Sequence, residues 1–132
     1  MSEPDFPITR LKVRPDFLAA AKAKSCAKGA VVLQARARRD DAEAVRVGFT
    51  ATKKVGGAVV RNRAKRRMRA AARQMVPLFG RPGHDYVLIA RNGAPTRPWG
   101  RLLDDVKSAL LSLRAESESP EGASRRAPPP LI

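Results

Sequence analysis

The sequence predicts an α/β (α+β) two-layer sandwich, with one sheet of about four strands and three helices. Three observations predict it. Residues 30–38 and 45–52 alternate apolar and polar side chains with a period of two, and residues 85–91 form a nearly continuous apolar run. Between and around these strands lie three segments of helical composition, at 11–24, 58–76 and 99–114. At 132 residues the chain has room for one core of this kind and not for two.

Each element has its own reason. In the first segment Pro15 suits an opening helical turn, Asp16 sits near the positive end of the dipole, and Ala19, Ala20, Ala21 and Ala23 fill the body. This predicts a short helix in the second half of 11–24. Gly29 then punctuates. Val31, Leu33, Ala35 and Ala37 form one face of the first strand, and Val32, Gln34, Arg36 and Arg38 the other. Arg36 and Arg38 are charges of the kind that guard a sheet edge. A polar turn at 39–43 leads to Val45, Val47, Phe49 and Ala51, alternating with Arg46, Gly48, Thr50 and Thr52. The two strands are expected to pair as a hairpin.

Gly56 and Gly57 break the chain before a helix over about 58–76, rich in Ala, Arg, Lys and Met, which Pro77 is expected to close. A short strand around 55–60 is left open. Val60, Ala64, Met68, Ala71 and Met75 share a sector of about 80° on the helical wheel, and cations cover most of the remainder. The apolar run Asp85–Arg91 reads as the central strand. Trp99, Leu102, Leu103, Val106, Ala109, Leu110 and Leu113 then recur at spacings of three and four, the mark of an amphipathic helix. Phe49 and Trp99 lie on apolar stripes and are assigned to the core, and Tyr86 to packing. Residues 1–8 and 115–132, the latter rich in Ser, Pro and Glu, are expected to be disordered around a domain at 9–114.

Charge narrows the function. The chain carries a formal net charge of +15, and the eleven cations from Arg46 to Arg81 are accompanied by no acid. Seven of those eleven fall between Arg61 and Arg73. A block this dense calls for a polyanion, so nucleic acid is the expected partner. The single cysteine, Cys26, excludes an internal disulfide and a Cys-rich zinc site, and reads as a partly buried thiol. No apolar run approaches the roughly 20 residues needed to span a bilayer, and the N-terminus lacks a signal-peptide pattern. A cytoplasmic protein without a membrane partner is expected. No catalytic set is visible: His84 is the lone histidine, there is no Walker loop, and Asp104 and Asp105 read as a solvated pair.

One ordered stretch is specific. It runs Arg46-Val-Gly-Phe-Thr-Ala-Thr-Lys-Lys-Val-Gly-Gly-Ala-Val-Val-Arg-Asn-Arg-Ala-Lys-Arg-Arg-Met-Arg69. The strand ending Thr52-Lys53-Lys54, then Val55-Gly56, the Arg61-Asn62-Arg63 triplet, and Lys65-Arg66 with Arg69 resemble the signature of the bacterial ribonuclease P protein subunit. The likeness extends over about residues 9–114.

The resemblance implies a sandwich with a mixed sheet and an unusual left-handed βαβ crossover, where right-handed is the general rule. It implies a catalytic RNA as partner, which uses Mg²⁺ to cleave precursor tRNA and leave the mature 5′ end. The protein itself would hold no metal or cofactor, contribute no catalytic residue and need no obligate protein partner. Carried onto this sequence, Arg61, Asn62, Arg63, Lys65, Arg66, Arg69 and Arg73 would face the catalytic RNA. Phe17, Val32, Gln34, Arg36, Thr50, Thr52, Lys53 and Lys54 would line a cleft for the 5′ leader, with Phe17 equally readable as a core anchor. The chain departs from the family at Ala21 and Gln34, where an aromatic is frequent. That shifts the expected leader binding from stacking towards electrostatics. A structural RNA-binding protein of ribosomal type is the alternative. A DNA-reading helix fits less well, since cations flank the helix on both sides and leave few residues to read bases.

Overall fold

The computed structural model describes residues 6–118. The elements, in chain order, are β1 (Ile8–Arg10), α1 (Arg14–Ala21), β2 (Lys24–Lys28), β3 (Val31–Ala37), β4 (Val45–Ala51), a single 3-10 turn at Lys53–Val55, α2 (Ala58–Phe79), β5 (His84–Ala90) and α3 (Trp99–Glu118). The strands form one five-stranded mixed sheet in the order β1-β4-β5-β3-β2. The pairs β1/β4 and β4/β5 are parallel, and β3/β5 and β2/β3 antiparallel.

The expected hairpin of the two alternating strands does not form, because β5 lies between them. Burial explains the order. Tyr86, Val87 and Leu88 are successive residues of β5, each no more than 3% exposed. Only a central strand is covered on both faces. The alternation of β3 and β4 leaves each with one half-open face, so they flank β5 instead of each other. Their connection must therefore cross the width of β5. It is tied down by the Arg38 N–H donating to the Gly83 carbonyl and the Gly83 N–H to the Glu43 carbonyl, both at 3.0 Å.

Two strands come from segments whose pattern is weak. β1 has three residues, all exposed, and β2 alternates around Cys26 as its one larger apolar residue. The 55–60 segment is a 3-10 turn followed by the start of α2, with no strand. β3 is internal, so the edge guards are Lys24 and Lys28 of β2 and not Arg36 and Arg38. α1 begins at Arg14 and so occupies the middle of 11–24 rather than its second half.

α2 runs through Pro77 to Phe79. Proline lacks the N–H that would reach the Arg73 carbonyl, but its fixed φ is helical, and in the last turn little remains to be disrupted. The Gly80 N–H then closes the helix on the Val76 carbonyl at 2.8 Å.

The helices take opposite faces of the sheet. α2 and α3 pack together on the face of Val31, Leu33, Val45, Val47, Tyr86 and Leu88, with Ala64, Met68, Ala71, Leu102, Val106 and Leu110 filling the main core. α1 covers the other face in a smaller cluster of Leu11, Ala20 and Val87, with Phe17 and Ile89 against it. The stretches 1–8 and 115–132 lie largely outside the described residues. Within them, Phe6 is buried in the main core, Ile8 begins β1, and α3 continues to Glu118.

Candidate nucleic-acid interface

Strand register decides which side chains meet on the α1 face. Val32, Ile89 and Thr50 form one row across β3, β5 and β4; Gln34, Val87 and Gly48 form the next; Arg36, Asp85 and Arg46 form the third. Phe17 reaches down from α1 onto the middle row. A Cβ on Gly48 would stand 2.5 Å from the Phe17 ring, so only glycine lets the ring approach the sheet here. Phe17 is half-buried: it anchors α1 against Leu11, Ala20 and Val87, and it lines a pocket with Arg10, Leu11, Lys12 and Phe49. Thr52, Lys53 and Lys54 follow directly, all exposed. They join the open end of this face to the first turn of α2. Ala21 is exposed at the end of α1 and Gln34 is half-buried. Phe17 is thus the one aromatic packed on this face among the described residues.

The third row is an ion cluster around one carboxylate. Asp85 is 0% exposed and accepts hydrogen bonds from Arg46 Nε (2.8 Å) and Nη2 (2.7 Å), Arg38 Nη1 (2.9 Å) and Arg36 Nη1 (3.3 Å). Burial alone would raise its pKa. The hydrogen bonds and charge of Arg46 and Arg38 outweigh burial and hold the carboxyl below its ordinary range. The same contacts raise Arg46, whose Nη1 also reaches Asp16 of α1 at 3.1 Å. Arg38, only 5% exposed, spends its remaining donors on the carboxylate of Asp40 and the carbonyls of His84, Ala42 and Ala44. Arg36 keeps a third of its side chain open to solvent. It is therefore part structural and part available. Beside the cluster, burial and the nearby charges of Arg81 and Arg38 lower His84, against an opposing contact with the Pro82 carbonyl.

On the opposite face α2 exposes Asn62, Arg63, Arg66 and Arg73, with Arg61, Lys65 and Arg69 half-exposed beside them. No acid lies on this helix, and the nearest acids in sequence are Glu43 and Asp85. Arg67 is the exception among its cations. Its Nη1 donates to the Ala94 carbonyl at 2.6 Å, its Nη2 to the Arg97 carbonyl, and its guanidinium lies 6.0 Å from the Trp99 ring centre. Arg67 thus ties α2 to the start of α3. Trp99 is 38% exposed, outside the core assigned to it, because it caps that tie at the surface. Among the described residues no helix is long and apolar enough to cross a membrane.

The sequence model of the family described as Ribonuclease P matches residues 8–114, which span β1, the whole sheet, α2 and most of α3. The chain belongs to the ribonuclease P protein family. It is 66% identical over 107 residues to the ribonuclease P protein component of Caulobacter vibrioides, covering 81% of this chain and 72% of that protein. It is 54% identical over 110 residues to that of Ruegeria pomeroyi, covering 82% and 88%. Among solved structures, the RNase P protein from Thermotoga maritima superposes with a TM-score of 0.67 at 25% identity, covering 78% of this chain and 96% of that one.

Within this ribonuclease P fold, the residues assigned from sequence separate into two groups on opposite sides of the sheet. The fold brings together Phe17, Val32, Gln34, Arg36 and Thr50 on one face, with Thr52–Lys54 at its end. The helix cations from Arg61 to Arg73 stand on the other. Sequence reasoning missed Arg46, Asp85 and Asp16 as one cluster. The available signal was an arginine at the start of β4 and an aspartate at the start of the most apolar strand, a place where an unpaired carboxylate would be costly.

Proposed function

We propose that the chain is the protein subunit of ribonuclease P. In this reading it binds the catalytic RNA through α2, and receives the 5′ leader of precursor tRNA in the cleft between α1 and the sheet. The observation that carries the reading is the acid-free face of α2, where Asn62, Arg63, Arg66 and Arg73 are exposed and Arg61, Lys65 and Arg69 partly so, next to the exposed Lys53 and Lys54. Arginine forks grip phosphate oxygens in pairs, lysine adds point charge, and Asn62 both donates and accepts toward a base or sugar. Neutralising phosphates releases counterions, so binding of this kind weakens steeply with salt.

No residue of the chain carries the bond-breaking step in this reading. The RNA supplies the reacting centre and uses Mg²⁺ there to activate water. The protein holds the leader and offsets phosphate repulsion between substrate and ribozyme, which lowers the magnesium that cleavage needs. With a single aromatic on the cleft face, leader binding rests on Lys53, Lys54 and the open part of Arg36 more than on stacking.

The test is 5′ processing of a precursor tRNA by the catalytic RNA of the same organism at low magnesium, with and without the protein. Cleavage that requires the protein, and that an Arg61→Ala/Arg63→Ala/Arg66→Ala variant no longer supports, is the expected result. A protein that binds the RNA and leaves cleavage unchanged belongs to the structural RNA-binding class.

A further inference from the structure

A groove of about 670 Å³ lies on the α2 side of the sheet, between β1 and the second half of α2. It adjoins a smaller pocket lined by Phe17, with which it shares Arg10, Lys12 and Phe49. Its volume falls in the range of roughly 300–1,000 Å³ typical of small-ligand clefts. The floor is apolar, with Phe49 and Val47 from β4 and Val76 from α2, while the rim carries Arg10, Lys12, Arg69 and Arg73. No acid lines it.

The groove exists because β1 is short. Its pairing with β4 ends at Arg10 opposite Val47, and one further bond runs from the Leu11 N–H to the Val47 carbonyl. Beyond that point the flank of β4 at Phe49 is left to the groove. There the Arg69 guanidinium sits 5.7 Å from the Phe49 ring centre, and its Nε is buried without a hydrogen-bond partner. The ring therefore holds Arg69 where no acid does, unlike Arg38, which Asp85 orients.

An apolar, π-lined floor under four cations suits a ligand that joins a flat ring to a negative charge within one unit. A nucleotide is such a ligand: bases stack on aromatic rings and on arginine planes, and phosphates take the surrounding cations. Arg69 and Arg73 stand one turn apart on α2, so the groove continues the basic face of that helix.

We propose that this groove receives one unpaired nucleotide of the catalytic RNA, its base against Phe49 and Arg69 and its phosphate among Arg10, Lys12 and Arg73. The proposal rests on the reading of α2 as the helix that faces that RNA. It adds a point of base recognition to a surface made mostly of phosphate-gripping cations, and it gives β1 a role in RNA binding.

The test places the photo-crosslinker p-benzoylphenylalanine at Thr9, an exposed residue of the groove wall, in the full chain assembled with the catalytic RNA. A second protein carries it at Asn62 on the exposed face of α2. The Thr9 probe is expected to mark a single unpaired nucleotide of the catalytic RNA, with or without precursor tRNA present. Removing that base, leaving an abasic site, then lowers affinity between about fivefold and a hundredfold, the effect of one lost base–aromatic stack. An Arg10→Glu/Lys12→Glu variant, altered only at exposed positions, weakens binding to the intact RNA by at least tenfold. Crosslinking of Thr9 to the leader, scattered crosslinks, or an abasic site without effect overturns the proposal. If the Asn62 probe crosslinks to the catalytic RNA and the Thr9 probe does not, the groove proposal fails while the function stands. If neither crosslinks, the reading of α2 fails with it.

Discussion

The Asp105 carboxylate on α3 accepts the backbone N–H of Ala30 at 3.0 Å, across 75 residues of chain. Arg97 grips the same carboxylate through Nε at 2.9 Å and Nη2 at 3.1 Å. Asp105 is only 7% exposed, while its neighbour Asp104 points to solvent. The expected solvated pair is therefore half structural. Gly29 completes the arrangement: it has φ +53°, and a Cβ there would stand 2.2 Å from Asp105 Oδ1. The turn between β2 and β3 is thus folded around this carboxylate. Asp105→Ala leaves a buried N–H unpartnered and is expected to destabilise by about 2–3 kcal/mol. Urea unfolding monitored by circular dichroism measures it, and Asp104→Ala should leave the midpoint unchanged.

Asp85 predicts how the protein responds to acid. Its folded pKa lies below the ordinary carboxylate value, so its contribution is fully present above the unfolded pKa of about 4 and is lost as pH falls through the folded value. His84 is also lowered, so its contribution begins to fall earlier, as pH drops below about 6.5. A two-stage decline is expected. His84→Gln removes the upper stage from a plot of unfolding free energy against pH, and the lower one remains. Asp85→Ala strands three arginines and should cost about 3 kcal/mol at neutral pH, at the lower end for a broken buried ion pair because Arg36 and Arg46 are partly solvated. If the Asp85→Ala protein matched the wild type at pH 7, the cluster would be ornamental.

The Phe17 ring packs directly over Gly48, and Gly48→Ala forces the ring outward. Overpacking of this kind costs about 1–3 kcal/mol. Under the proposed function the displaced ring also narrows the cleft, so discrimination between precursor and mature tRNA should fall while affinity for the catalytic RNA alone is retained. Binding titrations with the three RNAs separate the effects. An equal loss on all of them would place the damage in folding rather than in the cleft.

Much of this was legible in the sequence because periodicity reports burial. The central place of β5, the apolar stripe of α2 and the α3 stripe from Leu102 to Leu113 follow from which residues need cover. Strand order was not legible, since β3 and β4 show the same alternation whether they pair with each other or with β5 between them. β1 and β2 were missed because edge strands need little hydrophobicity: β1 is exposed throughout, and β2 carries lysines at both ends. The helix cations could be named as a group. Which of them faces solvent depends on the Ala94 and Arg97 carbonyls in the connection before α3, which no local pattern reports.

Arg66 and Arg67 are neighbours with opposite roles, and this gives the sharpest prediction. Arg66 is exposed, whereas Arg67 is committed to the Ala94 and Arg97 carbonyls and to the Trp99 ring. Arg66→Ala should leave the unfolding free energy within about 0.5 kcal/mol of the wild type, as surface changes usually do. It should also lower the slope of log affinity for the catalytic RNA against log salt by about one, the signature of a lost phosphate contact. Arg67→Ala should do the reverse: a stability loss of about 1–3 kcal/mol, from two vacated carbonyls and a lost cation–π contact, with the salt slope unchanged below the melting temperature. Urea unfolding and a salt titration on both variants check the pair. Equal salt slopes lost in both would mean that Arg67 leaves its carbonyls to meet the RNA, and that the tie between α2 and α3 opens on binding.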